Sequence, residues 1–207
     1  MSRGRLVAVE GIDGAGKSTL VRALAAAMRR RGFSVAVRRE PSDPRLGALA
    51  QSVSRGDPWT GAVYFTVDRY LARPRLERAL RRFDLVLSDR SFYSTLAYQG
   101  SALPPREERR LSELERSASV EPDHVILLEI PPAEATRRLG RRGTSRGPLE
   151  RRRIQERVAR KYRALAREGR WTVLDGRAPT RALVAEAVQS LGRRSGPPRA
   201  LPRRQRA

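Results

Sequence analysis

The chain of 207 residues has no cysteine and a single histidine, His124. The first absence excludes disulfides and thiolate zinc sites, and it fits a cytoplasmic protein. The second leaves no material for a histidine-based metal centre or a histidine-dependent triad. His124 itself follows Pro122-Asp123 at the head of an apolar run and reads as structural. No apolar run reaches the roughly 18 residues of a membrane span. Met1-Ser2-Arg3 leads straight into a strand-like run, so no signal peptide is expected. Lysine is nearly absent, with arginine in its place almost everywhere.

The formal charge is +22, and its distribution matters more than its size. Residues 137–170 hold fourteen Lys/Arg against three Glu, and residues 192–207 hold six Arg and no acid, together seventeen of the excess. Such runs are more often solvated faces than interfaces, so nucleic acid is the lesser expectation. The length suits one domain with a single core, expected over residues 1–192. From Gly192 onward Gly, Pro and Arg dominate with almost nothing to bury, which predicts a disordered basic tail over 193–207.

What is present is organised around Gly11-Ile12-Asp13-Gly14-Ala15-Gly16-Lys17-Ser18-Thr19, which fits G-x-x-x-x-G-K-[ST] directly after the apolar Leu6-Val7-Ala8-Val9. Glycines let backbone N–H groups turn inward onto phosphate oxygens. Lys17 adds a point charge, the Ser18 hydroxyl can ligate Mg²⁺, and the following helix directs its positive end at the anion. Residues 21–31 are good helix formers, so the strand, loop and helix order is met. All nine residues are candidates for binding the phosphates of a nucleotide such as ATP.

Five β-rich runs, at 5–10, 33–38, 84–88, 124–130 and 171–174, alternate with helical stretches. Most are continuously apolar, as strands buried on both faces are, so an α/β fold with a five-stranded parallel sheet between helices is expected. Ligands of such sheets gather at the carboxyl ends of the strands. The second run ends in Arg39-Glu40-Pro41. Helices are expected over 45–55 and 59–83, the latter kinked or divided at Pro74. On it Phe65 and Arg69 lie one turn apart: either an aromatic plate and a guanidinium for a nucleotide, or a core residue and a surface one. The third run delivers Asp89, placed to hold the Mg²⁺ shell, and Arg90, which can fork onto a phosphate. The hydroxyls and amide of residues 91–100 suit a base edge. A helix over 156–167 and a last one ending near 191 complete the pattern.

Taken together, these pieces resemble the thymidylate kinases. The likeness covers residues 5–167: the glycine loop, Arg39-Glu40-Pro41, Phe65 with Asp68-Arg69, Asp89-Arg90 with Ser94, Ala97-Tyr98-Gln99-Gly100, Pro122-Asp123 before an apolar strand, and an Arg-rich segment before a helix containing Tyr162. The resemblance implies the three-layer P-loop NTPase fold with an Arg-rich lid at 140–151, ATP- and Mg²⁺-dependent phosphorylation of dTMP to dTDP, and a homodimer. It implies that Phe65 stacks the thymine, Arg69 and Arg90 grip the monophosphate, and Glu40 belongs to the same acceptor site. Thr95 and Gln99 would read the base edge and Tyr98 would exclude ribose. Asp13 would meet the sugar 3′-hydroxyl, although an Asx turn is an equal reading of that residue. Ser18 and Asp89 are the metal candidates. Because Gly14 follows Asp13, the transition-state arginine is expected from the lid, so the catalytic candidates are Lys17, Arg90, Arg142, Arg146 and Arg151. Three positions depart from the family pattern: Ser42-Asp43-Pro44 after Glu40-Pro41, Ser91 after Arg90, and Glu129 at the end of the fourth run. The rival readings are a kinase for another nucleoside monophosphate or a deoxynucleoside, and a P-loop nucleic-acid-binding ATPase.

Overall fold

A computed structural model describes residues 3–140, 148–169 and 171–193. Strands β1 (Arg5–Glu10), β2 (Val35–Arg39), β3 (Leu85–Asp89), β4 (His124–Glu129) and β5 (Thr172–Asp175) form a parallel sheet in the order β2-β3-β1-β4-β5. The three inner strands are buried along nearly their whole length, whereas β2 and β5 alternate buried and open positions, as edges do. Strand ends shift slightly from the apolar runs. The third run begins at Leu85 and extends to Asp89, because Asp89 is laddered to Val9 on one side and Arg39 on the other.

The helices are α1 (Lys17–Arg30), α2 (Pro44–Val53), α3 (Pro58–Arg82), α4 (Phe92–Tyr98), α5 (Pro105–Ala118), α6 (Pro132–Gly140), α7 (Pro148–Gly169) and α8 (Thr180–Arg193). Right-handed crossovers place them. The chain leaves β1 toward β2 in one direction and returns from β2 to β3, β4 and β5 in the other, so α1 covers one face and α2 to α7 the opposite one. Helix α8 packs beside α1. The reversal of direction beside β1 makes the crevice above β1, β3 and β4 the expected ligand site. No helix among the described residues is long and apolar enough to cross a membrane.

The long helix expected over 59–83 is present, undivided, as α3, and one helix start is corrected. Helix α3 runs unbroken through Pro74, which lies on its exposed side beside the exposed Tyr70, so water can serve the carbonyl that proline leaves without its N–H partner. Helix α7 starts at Pro148 instead of 156, a proline at the first helical turn being a natural start, and so takes the last part of the expected lid into regular structure.

Candidate active site

Glycine is required twice in the loop for different reasons. At Gly11 (φ +145°) an added Cβ would lie 2.5 Å from the Leu128 carbonyl oxygen; at Gly16 (φ +101°) the left-handed conformation itself excludes other residues while the surrounding space is open. Gly16 caps α1 with no side-chain bond, leaving first-turn amides aimed into the loop. Ile12 and Ala15 anchor the loop in the core. Lys17 folds back under it, its ammonium donating to the carbonyls of Gly11 (2.9 Å) and Ile12 (3.0 Å) and standing 4.0 Å from Asp13. Burial, and then the neighbouring Arg90, push the Lys17 ammonium down to about 8.

The end of β3 faces this loop. Ser18 Oγ donates to Asp89 Oδ2 at 2.5 Å, bringing a hydroxyl from the first turn of α1 onto a buried carboxylate. Beyond it Arg90 adopts φ +78°, a left-handed conformation unusual for a side chain of that size. The conformation is pinned on both sides: the Arg90 amide donates to Val9 O at 3.1 Å, and Ser88 Oγ donates to Arg90 O at 2.6 Å. The result swings the guanidinium over the loop, where it donates to Asp13 Oδ1 and Ser94 Oγ and lies 5.4 Å from the centre of the Tyr98 ring. Desolvation works against the Asp13 charge, but Arg90 and then Lys17 hold its carboxyl below its ordinary value. Tyr98 closes the group by accepting the Asp13 amide at 2.8 Å, and burial raises its phenol.

Under Arg90 lies Glu10, the last residue of β1 and wholly buried. Its carboxylate accepts from the Ser91 amide and hydroxyl, from Ser94 Oγ and from Tyr162 OH of α7, all within 2.8 Å. Burial raises its pKa in spite of these donors. Ser91, one of the departures, thus has a local reason: it caps α4 and binds Glu10. The Ser42-Asp43 departure is met similarly, both amides donating to Asp68 of α3 at 2.7 Å while Asp43 caps α2. Glu129, the third, pairs with Arg163.

A second buried cluster surrounds Arg69 of α3. Its guanidinium donates to Glu40 (2.7 Å), to Glu115 of α5 (2.6 Å) and to the Thr95 hydroxyl. Glu40 also accepts from Arg38. Between the two clusters a cavity of about 590 Å³ opens, and Asp13, Glu40, Phe65, Arg69, Arg90, Thr95, Tyr98 and Gln99 all line it. Gln99 reaches Ser54 of the loop after α2 through its Nε2 at 3.2 Å. The glycine loop abuts this cavity through Asp13, so a phosphate held by the loop and one held by Arg90 would be neighbours.

Of the remaining candidates, Arg142 and Arg146 lie outside the described residues, and Arg151 is described only by its backbone in α7. His124 sits buried at the opposite end of the sheet, its Nε2 3.1 Å from Thr172 Oγ1 and 3.3 Å from Ser190 Oγ, which is a structural setting. Among the described residues, no group of three or more His, Asp or Glu could hold a metal. Sequence reasoning missed Glu10, Glu115 and Tyr162 as site neighbours. An acid at the end of an apolar run was the available signal for Glu10, and Tyr162 was named in the resemblance without a role.

The sequence pattern of one family, described as thymidylate kinase, matches residues 9–187. A probable thymidylate kinase of Metallosphaera sedula is 34% identical over 189 residues, covering 90% of this chain and 93% of that protein. A thymidylate kinase of Thermomicrobium roseum is 37% identical over 193 residues, with 88% and 91% covered, and one from Xanthomonas euvesicatoria is 37% identical over 175 residues, with 82% and 76% covered.

Proposed function

The chain belongs to the thymidylate kinase family, and from that premise we propose that it transfers the γ-phosphoryl group of ATP to dTMP, giving dTDP. The observation that carries the reading is the shared wall at Asp13: a phosphate-binding loop on one side, the Arg90 cavity on the other. Loop amides and Lys17 hold the donor phosphates. Arg90, forked and held in place, takes the acceptor monophosphate. In-line attack by the acceptor's own phosphate oxygen needs no protein nucleophile, which suits a chain without cysteine.

The two arginines divide the acceptor between them. Arg69 already pairs with two carboxylates, so its charge is largely spent before a phosphate arrives; a base carbonyl, which needs only an N–H, fits there instead, with Phe65 for the ring face. We propose this part for Arg69 in place of the phosphate contact that the resemblance implies. Glu40 orients it, Thr95 and Gln99 face the base edge, and Tyr98 lies beside Asp13, where a sugar would sit.

Ser18 and Asp89 form a pair of hard oxygen donors in contact with each other, a set that suits Mg²⁺, which takes few protein ligands and keeps waters and phosphates. When bound with ATP it supplies neutralising charge to the phosphates. Charge on the group in flight is assigned to a lid arginine among Arg142, Arg146 and Arg151, since Gly14 leaves that loop position without a cation.

We also read the protein as a cytoplasmic homodimer. The apolar side chains left most open on α3, Val67, Tyr70 and Leu71, and on its neighbour α2, Leu49, make a natural self-contact. The test of the activity is coupled ADP release with dTMP, dUMP, dCMP, UMP and AMP, with Lys17→Ala as control. dTMP should turn over fastest; a faster acceptor would overturn the substrate.

A further inference from the structure

Glu115 lies in the last turn of α5, wholly buried and outside every motif of the site. Its Oε1 accepts from Thr66 Oγ1 at 2.9 Å and its Oε2 from Arg69 Nη1 at 2.6 Å, with Ser119 Oγ at 3.3 Å. It does not line the cavity, but Arg69, which it backs, does, as does the Thr95 that Arg69 reaches.

The hydrogen bonds fix which groups of this wall can donate and which can accept. Glu40 holds Arg69 Nε, Glu115 holds Nη1, and Nη2 donates to the Thr95 hydroxyl. Each terminal nitrogen carries a second N–H beyond these bonds. Thr95, accepting from a guanidinium that cannot accept in return, has its own proton to give. The guanidinium part of this wall therefore presents donors only. A pyrimidine carbonyl satisfies it, whereas an exocyclic amino group would set donor against donor there.

We propose that Glu115 is a positioning residue that sets acceptor selectivity, clamping Arg69 so that the cavity takes a keto pyrimidine monophosphate and rejects its amino counterpart. The proposal rests on the reading of this cavity as the acceptor-base site. Glu40 alone secures one edge of the guanidinium; two carboxylates on separate nitrogens are what stop its plane from rotating. Without the second, Arg69 can turn to offer a different edge.

The test measures kcat and KM for dTMP and dCMP with the full chain, Glu115→Gln and Thr66→Val. Glu115→Gln should raise KM for dTMP about tenfold or more, change kcat less than about threefold, and lower the dTMP to dCMP ratio of kcat/KM at least about tenfold. Thr66→Val, which removes only one anchor of Glu115, should move the same ratio the same way by less, and it decides the matter if Glu115→Gln does not fold. An unchanged ratio, or an equal loss for both acceptors, overturns the role of Glu115 while leaving the acceptor reading intact. A wild-type chain that does not prefer dTMP overturns the acceptor reading and this role with it.

Discussion

Arg90 and Asp13, 77 positions apart in sequence, form an ion pair that ties the end of β3 to the middle of the glycine loop. The contact exists because Arg90 holds a left-handed backbone that points its side chain back across β1.

Arg90→Ala and Arg90→Gly should both lose about a hundredfold or more in kcat/KM for dTMP, since a forked, charge-assisted contact to phosphate is removed. They should differ in stability: glycine tolerates φ +78° and alanine does not, so in urea the glycine variant should be the more stable by about 1 kcal/mol. Equal midpoints would remove the case for strain at this residue.

The pH behaviour of Lys17 follows from a pKa lowered to about 8 from 10.5. Between those values the unfolded chain binds the proton and the folded one does not, so the Lys17 contribution to stability rises with pH across that window and is least favourable below about 8. Lys17→Met lacks this term. The stability of wild type minus variant should therefore climb by about 3 kcal/mol between roughly pH 7.5 and 10.5. In activity the sign reverses: kcat/KM for ATP should fall above about pH 8 as the free enzyme loses the ammonium charge.

Tyr162→Phe keeps the ring in the core and removes one donor from the Glu10 carboxylate. Leaving that buried charge short of a partner should cost about 1–3 kcal/mol in chemical denaturation. Because Ser94 bridges Glu10 and Arg90, the variant should also raise KM for dTMP. A neutral effect on both readouts would show that water substitutes for the phenol.

Tyr70→Glu should shift the sedimentation of the protein from dimer to monomer, since it puts a charge where the proposed self-contact buries an apolar ring. Wild type sedimenting as a monomer at micromolar concentration would remove the dimer.

Much of this architecture could be read in one dimension because its signals are local. The β1 boundaries follow from a run of six residues, and the glycine loop announces itself by spacing that has no other common use. The eight residues expected at the acceptor site do line one cavity: Asp13, Glu40 and Arg90 follow strand ends, which converge in a parallel sheet, while α3 and α4 bring the other five. The start of α7 was hidden because the charged stretch before Glu156 has no apolar face to mark it. Pro74 does not divide α3, its effect depending on which side of the helix meets water.

The glycine loop and the parallel sheet were thus determined by the order of residues alone, because backbone freedom and strand burial are properties of short segments, whereas the kinase reading came from the resemblance of many segments taken together. Only the folded chain decided what surrounds the arginines. Tyr162 reaches Glu10 across 152 positions and Glu115 reaches Arg69 across 46. Pairing a buried charge depends on what packing brings alongside it, and no local pattern encodes that.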